Sequence, residues 1–299
     1  MSASLPNFFI AGATASGTSF LTAILLQHRD IYLPLLIKEP HFFSLPLQYE
    51  KGLAWYQQTW FSGVKAEKSI GERSTTYFHF PIAAPQLKKH CPEAKFILVL
   101  RDPVERAFAQ YRYMVLRGKE ELDFKTALEE EHRRLEHDTR HFEYKGRSLY
   151  GKQLKHFLKF FSRSQILILS SEKLRYQTER QIRRITDFLE IEPLDNFEIP
   201  PNFSSPSVKD QALQVVAHNH FGKAFKHIVE GIRFHTGNLQ AYVKCKEDAI
   251  LLDQVKENLS SKKDELPEEL RSYLKAYFQQ DQEGFFALAE SNIDFNSWC

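Results

Sequence analysis

The chain has 299 residues, of which 42% are hydrophobic and 26% are charged, and its formal net charge is +2. This composition is typical of a soluble globular protein with one large core, or a core with an added lobe. The near-neutral charge argues against general nucleic-acid binding, which is typical of strongly basic chains, but it allows a local basic pocket for a small polyanion.

The cysteines and the amino terminus indicate the compartment. Cys91, Cys245 and Cys299 are widely spaced and form no CxxC pair, so neither a disulfide framework nor a zinc site is expected. We therefore predict a reduced, cytoplasmic location. The first residues, MSASLPN, carry no basic segment and the apolar run after them is broken at Gly12, so we expect neither a signal peptide nor a membrane span.

Strand-like and helix-like segments alternate along the chain. Short, continuous apolar runs, typical of buried parallel strands, lie at 6–12, 95–101 and 165–170. Helical patterns lie at 18–27, 81–90, 103–117, 150–161 and 179–189. This alternation predicts an α/β fold, P-loop-like and three-layered, with a central parallel sheet flanked by helices.

The remaining segments have less regular patterns. Residues 121–145 are highly charged and predict an exposed helix, and the charge and histidines of 129–147 indicate a solvated helix face rather than a metal or nucleic-acid site. Residues 193–206 predict a loop, 208–251 an irregular helical region and 267–288 a further helix. We predict one domain over 1–299, with a lid-like helical insert at about 193–257 that covers the acceptor site.

The first glycine-rich loop runs from Gly12 to Ser19, between the first strand and the first helix. Backbone N–H groups of Ser16–Ser19 and the hydroxyls of Thr18 and Ser19 can hold an anion at the helix N-terminus. Thr18 stands where a nucleoside triphosphatase needs its lysine, so a kinase-like or ATP-hydrolysing protein is disfavoured. The alternative is a plain turn between strand and helix.

Arg101 follows the second predicted strand, and Pro103 opens the next helix. Ligands of open α/β sheets bind at this edge, and an arginine there can hold a phosphate through two parallel hydrogen bonds. The alternative is a surface ion pair of Arg101 with Asp102 or Glu105.

These segments and three others resemble the sulfotransferase family that uses 3′-phosphoadenosine 5′-phosphosulfate (PAPS), especially its heparan-sulfate-type and bacterial branch. The other segments are KEPHFF at 38–43 with GLAWY at 52–56, GERSTTYF at 71–78, and the closing helix with its terminal tryptophan. The resemblance is strong over 6–112 and moderate over 148–190 and 258–298.

The resemblance implies sulfuryl transfer from PAPS to a hydroxyl, with PAP as product and no metal. It implies that Glu39 is the general base, with His41 orienting the acceptor or sharing that role and Lys38 beside them. Without the resemblance, Glu39 would be an ion-pair partner of Lys38 and His41 a structural histidine. The implied cofactor-binding residues are Thr14, Ala15, Ser16, Gly17, Thr18, Ser19, Arg101, Ala109, Arg147, Lys262 and Lys263.

Two departures from the family pattern matter for catalysis. Ala15 replaces the loop lysine, and losing one such donor costs about 10²–10³ in rate in other enzymes. Ala109 replaces a serine and removes a neutral hydrogen bond of about 0.5–1.5 kcal/mol. Either another cation substitutes for the lysine, or the protein binds the nucleotide and transfers sulfate slowly or not at all. The candidate cations are Lys38, Arg73, Lys262 and Lys263.

The sequence is compatible with more than one class of acceptor molecule. The branch implies a carbohydrate, whereas the 25 phenylalanines allow a lipid or polyketide hydroxyl or another small molecule. No nucleic-acid partner is expected.

These motifs predict a nucleotide preference. PAP and PAPS should raise the Tm, by the equivalent of about 2.7 kcal/mol at one hundred times Kd, because they bind the folded state. ATP and GTP should have little effect, since the loop lacks the Walker lysine. Differential scanning calorimetry with each nucleotide measures this, and stabilisation by ATP without stabilisation by PAP would contradict it.

Overall fold

The computed structural model describes residues 4–34, 39–136, 141–200, 206–234, 239–260, 264–289 and 298. The chain divides into two compact units. The first comprises Met1–Pro103, Leu149–Asn202 and Phe278–Cys299, and the second comprises Val104–Ser148 and Phe203–Tyr277. The single domain with a covering insert therefore stays a prediction, and each unit is described by itself.

The first unit contains a five-stranded parallel sheet in the order β2-β3-β1-β4-β5. Its strands are β1 (Phe8–Gly12), β2 (Ile31–Tyr32), β3 (Ser69–Arg73), β4 (Lys95–Leu100) and β5 (Ile166–Ser170). The α/β class and the three strands expected from apolar runs are confirmed. Sequence reasoning missed β2, which has only two residues, and β3, whose sequence SIGER has no apolar run.

The five helices expected between the strands are confirmed with ends shifted by up to four residues, and the chain also forms helices that were not predicted, such as those at Pro46–Tyr49 and Leu53–Phe61. Within its described ranges the structure has fourteen α-helices. In chain order they are α1 (Thr18–Leu25), α2 (Pro46–Tyr49), α3 (Leu53–Phe61), α4 (Ala83–His90), α5 (Pro103–Leu116), α6 (Phe124–Glu129), α7 (Glu131–Leu135), α8 (Tyr150–Phe157), α9 (Ser171–Tyr176), α10 (Thr178–Leu189), α11 (Gln211–Phe221), α12 (Phe225–Phe234), α13 (Lys246–Asn258) and α14 (Glu268–Ala289).

Aromatic side chains fill the core of the first unit. Phe9 of β1 stacks on Phe96 of β4 with ring centroids 5.6 Å apart, and Phe42 stacks on Tyr56 at 4.3 Å. Each fully buried ring of this kind contributes about 1.5–3 kcal/mol. A Cβ at Gly71 would lie 2.1 Å from the Phe8 ring, so β3 approaches β1 this closely only because it has glycine there.

The exposed helix expected over 121–145 is wrong. Two short helices, α6 and α7, occupy part of the segment, and Glu131, Tyr144 and Arg147 are buried. The Glu131 carboxylate accepts backbone N–H bonds from Tyr144 at 3.1 Å and from Lys145 at 2.9 Å. Glu131 is therefore buried because it satisfies backbone donors. His132 and Arg133 of α7 are exposed, so the solvated face predicted for 129–147 is present in part of this segment.

The segment predicted as an insert contains irregular chain at 193–200, and then α11, α12 and α13. In the second unit a small apolar core gathers around these helices, formed by Leu116, Ala217, Phe225, Val229 and Val255. A two-stranded antiparallel pair, β6 (Ser207–Val208) and β7 (Leu259–Ser260), brackets them. Within the described ranges, no helix is long and apolar enough to cross a membrane.

Candidate functional site

The loop after β1 leads into α1 with the geometry of an anion site. Gly17, at φ +93°, precedes the helix, and the first helical hydrogen bond runs from the Leu21 N–H to the Gly17 carbonyl, at 3.2 Å. The N–H groups before Leu21 therefore have no intrahelical partner. The first turn of α1 contains no acidic residue, so no carboxylate of this turn neutralises the positive end of the helix dipole at the loop.

The loop hydroxyls fit the oxygen-rich group that such a site would hold. The Ser16 hydroxyl is fully buried and has no hydrogen-bond partner in the part of the chain that is described. Thr18 is also buried, whereas Ser19 is half-buried. A buried hydroxyl without a partner costs about 1–3 kcal/mol, and a phosphate oxygen at the loop would supply the acceptor that Ser16 needs.

Thr75 joins this loop to Glu39. The Glu39 Oε2 atom accepts hydrogen bonds from the Thr75 N–H at 2.9 Å and from the Thr75 hydroxyl at 2.8 Å. The Thr75 Oγ1 atom in turn lies 3.3 Å from the Thr14 Oγ1 atom. Sequence reasoning assigned Thr75 no function, because β3, the strand that places Thr75 beside the loop, was not predicted.

Arg73, the last residue of β3, supplies a positive charge at the loop. Its guanidinium is only 6% exposed, donates to the Ser19 hydroxyl at 2.6 Å, and has its Nε atom 3.6 Å from the Glu39 Oε1 atom. Arg73 of β3 therefore lies between the first turn of α1 and the proposed base, and it supplies a positive charge to the loop at 12–19, which has no basic residue of its own.

His41 meets Glu39 through a turn rather than through extended chain. Sequence reasoning put the two side chains on one side of an extended segment, but His41 has the left-handed φ of +50°. Its N–H donates to the Ser74 hydroxyl at 2.8 Å, and its Nδ1 atom lies 2.8 Å from the Thr76 hydroxyl. The Nε2 atom is then 3.6 Å from the Glu39 carboxylate.

The surroundings of Glu39 keep it ionised. Burial by itself would raise the pKa of this carboxyl. The charges of Arg73 and His41 and the two Thr75 hydrogen bonds outweigh burial and lower the pKa below its ordinary value. Glu39 is therefore a carboxylate at neutral pH, which is the form that accepts a proton.

Arg101 directly follows β4, and its side chain is partly exposed. It acts electrostatically on Arg175 of α9, whose pKa is lowered by burial and by the Arg101 charge. A Cβ at Gly17 would lie 3.5 Å from the Ser171 hydroxyl, so the start of α9 is also beside the loop. Sequence reasoning missed Ser171 and Arg175, because neither stands in a recognisable pattern.

The other predicted site residues lie in the second unit or outside the described residues. Ala109 lies on α5, in the second unit. Arg147 lies in a short 3₁₀ turn of the same unit, buried, with its Nε atom 3.9 Å from the Glu143 carboxylate. Lys38, Lys262 and Lys263 lie outside the described residues. Among the described residues, no group of three or more histidine, cysteine, aspartate or glutamate side chains is arranged to hold a metal ion.

Comparison with protein families gives one match that covers most of the chain. A family model for the sulfotransferase domain matches residues 5–223.

Curated relatives match a smaller part. The membrane-associated sulfotransferase kil1 of Dictyostelium discoideum is 37% identical over 113 residues, which are 37% of this chain and 23% of that protein. Heparan sulfate glucosamine 3-O-sulfotransferase 3B1 of Mus musculus is 30% identical over 185 residues, which are 62% of this chain and 46% of that protein. The chain thus spans less than half the length of these relatives.

A solved structure matches almost the whole chain. The sulfotransferase from Alicyclobacillus acidocaldarius has a TM-score of 0.69 and 26% sequence identity, over 96% of each chain.

The contacts of Glu39 generate a prediction about its pKa. In Arg73→Gln, the pKa of Glu39 should rise, because burial is then opposed only by His41 and Thr75. Carboxyl ¹³C NMR of glutamate-labelled protein, with Glu39→Gln for assignment, measures the titration. The exposed Arg29→Gln is the control and should leave the midpoint unchanged. An unchanged midpoint in Arg73→Gln would contradict the ion pair.

Proposed function

The chain belongs to the sulfotransferase domain family, and on that premise we propose that it transfers the sulfuryl group of PAPS to an acceptor hydroxyl. The observation that carries this proposal is the ionised Glu39 carboxylate, linked to the anion-binding loop through Thr75 and Arg73. A base and a phosphate site must be neighbours for in-line transfer, and the contacts of Glu39 with Thr75 and Arg73 support such an arrangement.

Bound PAPS would supply an electrophilic sulfur and the PAP phosphate as leaving group. The loop would hold its 5′ end through backbone N–H groups of residues 16–19 and the hydroxyls of Thr14, Ser16, Thr18 and Ser19. Arg101 would hold the 3′-phosphate. That Ala109 and Arg147 also bind the nucleotide stays a prediction from the sequence. The positions of Lys38, Lys262 and Lys263 beside the nucleotide remain part of the proposal.

Glu39 acts as the general base. Its carboxylate takes the proton of the acceptor hydroxyl while that oxygen forms a bond to sulfur, and the bond from sulfur to the PAP oxygen breaks. His41, with its Nε2 atom 3.6 Å from the carboxylate, orients the hydroxyl. Proton removal by a positioned base contributes about 10²–10⁴ in rate.

Arg73 takes the place of the missing loop lysine. Its hydrogen bond to the Ser19 hydroxyl puts a guanidinium at the first turn of α1, where charge develops on the departing phosphate. Ala15 therefore does not leave the loop without a cation.

The acceptor is proposed to be a carbohydrate hydroxyl. Several relatives are named as heparan sulfate glucosamine 3-O-sulfotransferases, which supports this class over a lipid or polyketide hydroxyl. A cytoplasmic location is proposed from the cysteine pattern; Cys91 and Cys245 are both free thiols.

A second candidate function is a nucleotide-binding protein of the same fold with weak or no turnover. Ala15 and Ala109 favour it, because each removes a group that the family uses on the nucleotide.

The base assignment predicts the effect of Glu39→Gln. We expect kcat to fall by about 10²–10⁴, because the amide accepts no proton, while the Kd for PAP stays within about threefold. Transfer of ³⁵S from labelled PAPS to a panel of oligosaccharides measures kcat, and calorimetry measures Kd. The exposed Glu50→Gln is the control. An unchanged kcat would contradict the assignment of Glu39 as the base. Loss of PAP binding would instead indicate that Glu39 has a structural role.

The Arg73 assignment predicts a rescue. Arg73→Ala should lower turnover by about 10²–10³, and adding Ala15→Lys should restore a large part of it, because the lysine returns a cation to the loop. Ala15→Lys alone should change turnover by less than about threefold, and Ala15→Met is the control for side-chain length. A gain of several hundredfold in Ala15→Lys alone would instead support the weakly active nucleotide-binding protein.

A further inference from the structure

Glu72 is a buried carboxyl that the proposed reaction does not use. It precedes Arg73 on β3, so the two side chains point to opposite faces of the sheet. Its side chain is fully buried, and the hydroxyls of Tyr56 and Ser74 donate hydrogen bonds to it. The Tyr77 hydroxyl is a third hydrogen-bond partner.

Two of these hydroxyls also hold the chain that carries His41. The Ser74 Oγ atom accepts the His41 N–H at 2.8 Å, and the Tyr77 hydroxyl accepts the Phe43 N–H at 3.2 Å. His41 has a left-handed backbone, which costs about 1–2 kcal/mol for a residue with a side chain, so contacts from outside the turn must hold it. The Ser74 and Tyr77 hydroxyls that make these contacts are both hydrogen-bonded to Glu72.

We propose that Glu72 is a positioning residue: its carboxylate orients the Ser74 and Tyr77 hydroxyls that hold the His41 turn, and its protonation loosens this turn and lowers activity below neutral pH. The link to activity rests on the proposed function of Glu39 and His41, whereas the link to the turn does not.

Hydrogen-bond directions explain why protonation matters. A carboxylate only accepts, so all three hydroxyls can donate to it. A protonated carboxyl must donate one bond, and one hydroxyl must then reverse or turn away. If Ser74 turns, the His41 N–H loses its acceptor. The ionised form of Glu72 also places a second negative charge near Glu39, which makes Glu39 a stronger base.

Within the described part of the chain, four other titratable groups face Glu72. They are Tyr56 on α3, Tyr77 after β3, Cys91 after α4, and Glu39. Burial raises the pKa of Glu72 to about 7; the three hydroxyls oppose this and the Glu39 charge adds to it. The pKa values of both tyrosines are well above the ordinary value, and that of Cys91 is raised to about 12, so these groups stay neutral.

The raised pKa of Glu72 makes the stability of the folded protein depend on pH. The folded protein keeps the Glu72 proton up to about pH 7, whereas the unfolded chain loses it near its ordinary value of 4.5. Stability is therefore lost as the pH rises from about 4.5 through 7. Glu72→Gln cannot ionise, so its Tm relative to the parent should increase over this interval.

The first experiment tests the turn without using activity. Backbone amide NMR of histidine-labelled protein bound to PAP, with His41→Gln for assignment, should show the His41 amide titrating with a midpoint near pH 7 in the parent and not in Glu72→Gln. Tyr56→Phe removes a hydroxyl whose hydrogen bond lowers the pKa of Glu72, so it should move the midpoint of the His41 amide titration to higher pH. This variant provides the test if Glu72→Gln does not fold. Glu50→Gln should behave as the parent. A His41 amide that does not respond near pH 7 would overturn the proposal.

The second experiment tests the link to catalysis. The kcat of the parent should rise several-fold through pH 7, and Glu72→Gln should stay at the lower level from pH 5.5 to 8.5, with the KM for PAPS within about twofold. If kcat of Glu72→Gln also rose several-fold through pH 7, the proposed link between Glu72 and catalysis would be overturned. If the parent shows no sulfuryl transfer but the His41 amide titrates as expected, the proposed function fails and the positioning of the turn by Glu72 is upheld.

Discussion

The contact between Arg73 and Glu39 is the interaction on which the rest of the site depends. Burial of the Glu39 side chain, which is 20% exposed, raises the pKa of its carboxyl and so favours the protonated form. The guanidinium at 3.6 Å, with His41 and Thr75, reverses that effect. Because the same guanidinium donates to Ser19, it ties the proposed base to the first turn of α1.

The strand order explains why these groups meet. β1 lies between β3 and β4, so the loop after β1 is flanked by the chain that leaves both neighbours. The end of β3 supplies Arg73 and Thr75, and the end of β4 supplies Arg101. Parallel strands end at one edge of the sheet, which is where open α/β sheets bind ligands. The two cations that we propose for nucleotide binding, Arg73 and Arg101, therefore both follow strands of one unit.

Buried carboxylates serve two purposes in this protein, and their partners decide which. Glu131 accepts backbone N–H bonds, and Glu120 accepts bonds from Arg134 and from the Tyr144 hydroxyl, so both stabilise the chain around α7. Glu72 has only hydroxyl partners, with no guanidinium contact described, and its pKa rises to about 7. Burial also raises the pKa of Glu131, so the raised pKa does not by itself separate the two carboxyls. What sets Glu72 apart is that two of its hydroxyl partners, Ser74 and Tyr77, also accept the backbone N–H groups of the His41 turn.

Sequence alone determined β1, β4, β5, their helices and the loop at 12–19, because apolar runs and the helical period are local signals. It also gave the family resemblance, which the family match confirms. Tertiary structure decided β3, which is polar in sequence but buried because Tyr56, Ser74, Ser19 and Glu39 supply partners for Glu72 and Arg73. The same reason made the exposed helix over 121–145 wrong. Whether a charged side chain is buried depends on partners far away in the chain, and no local pattern contains them.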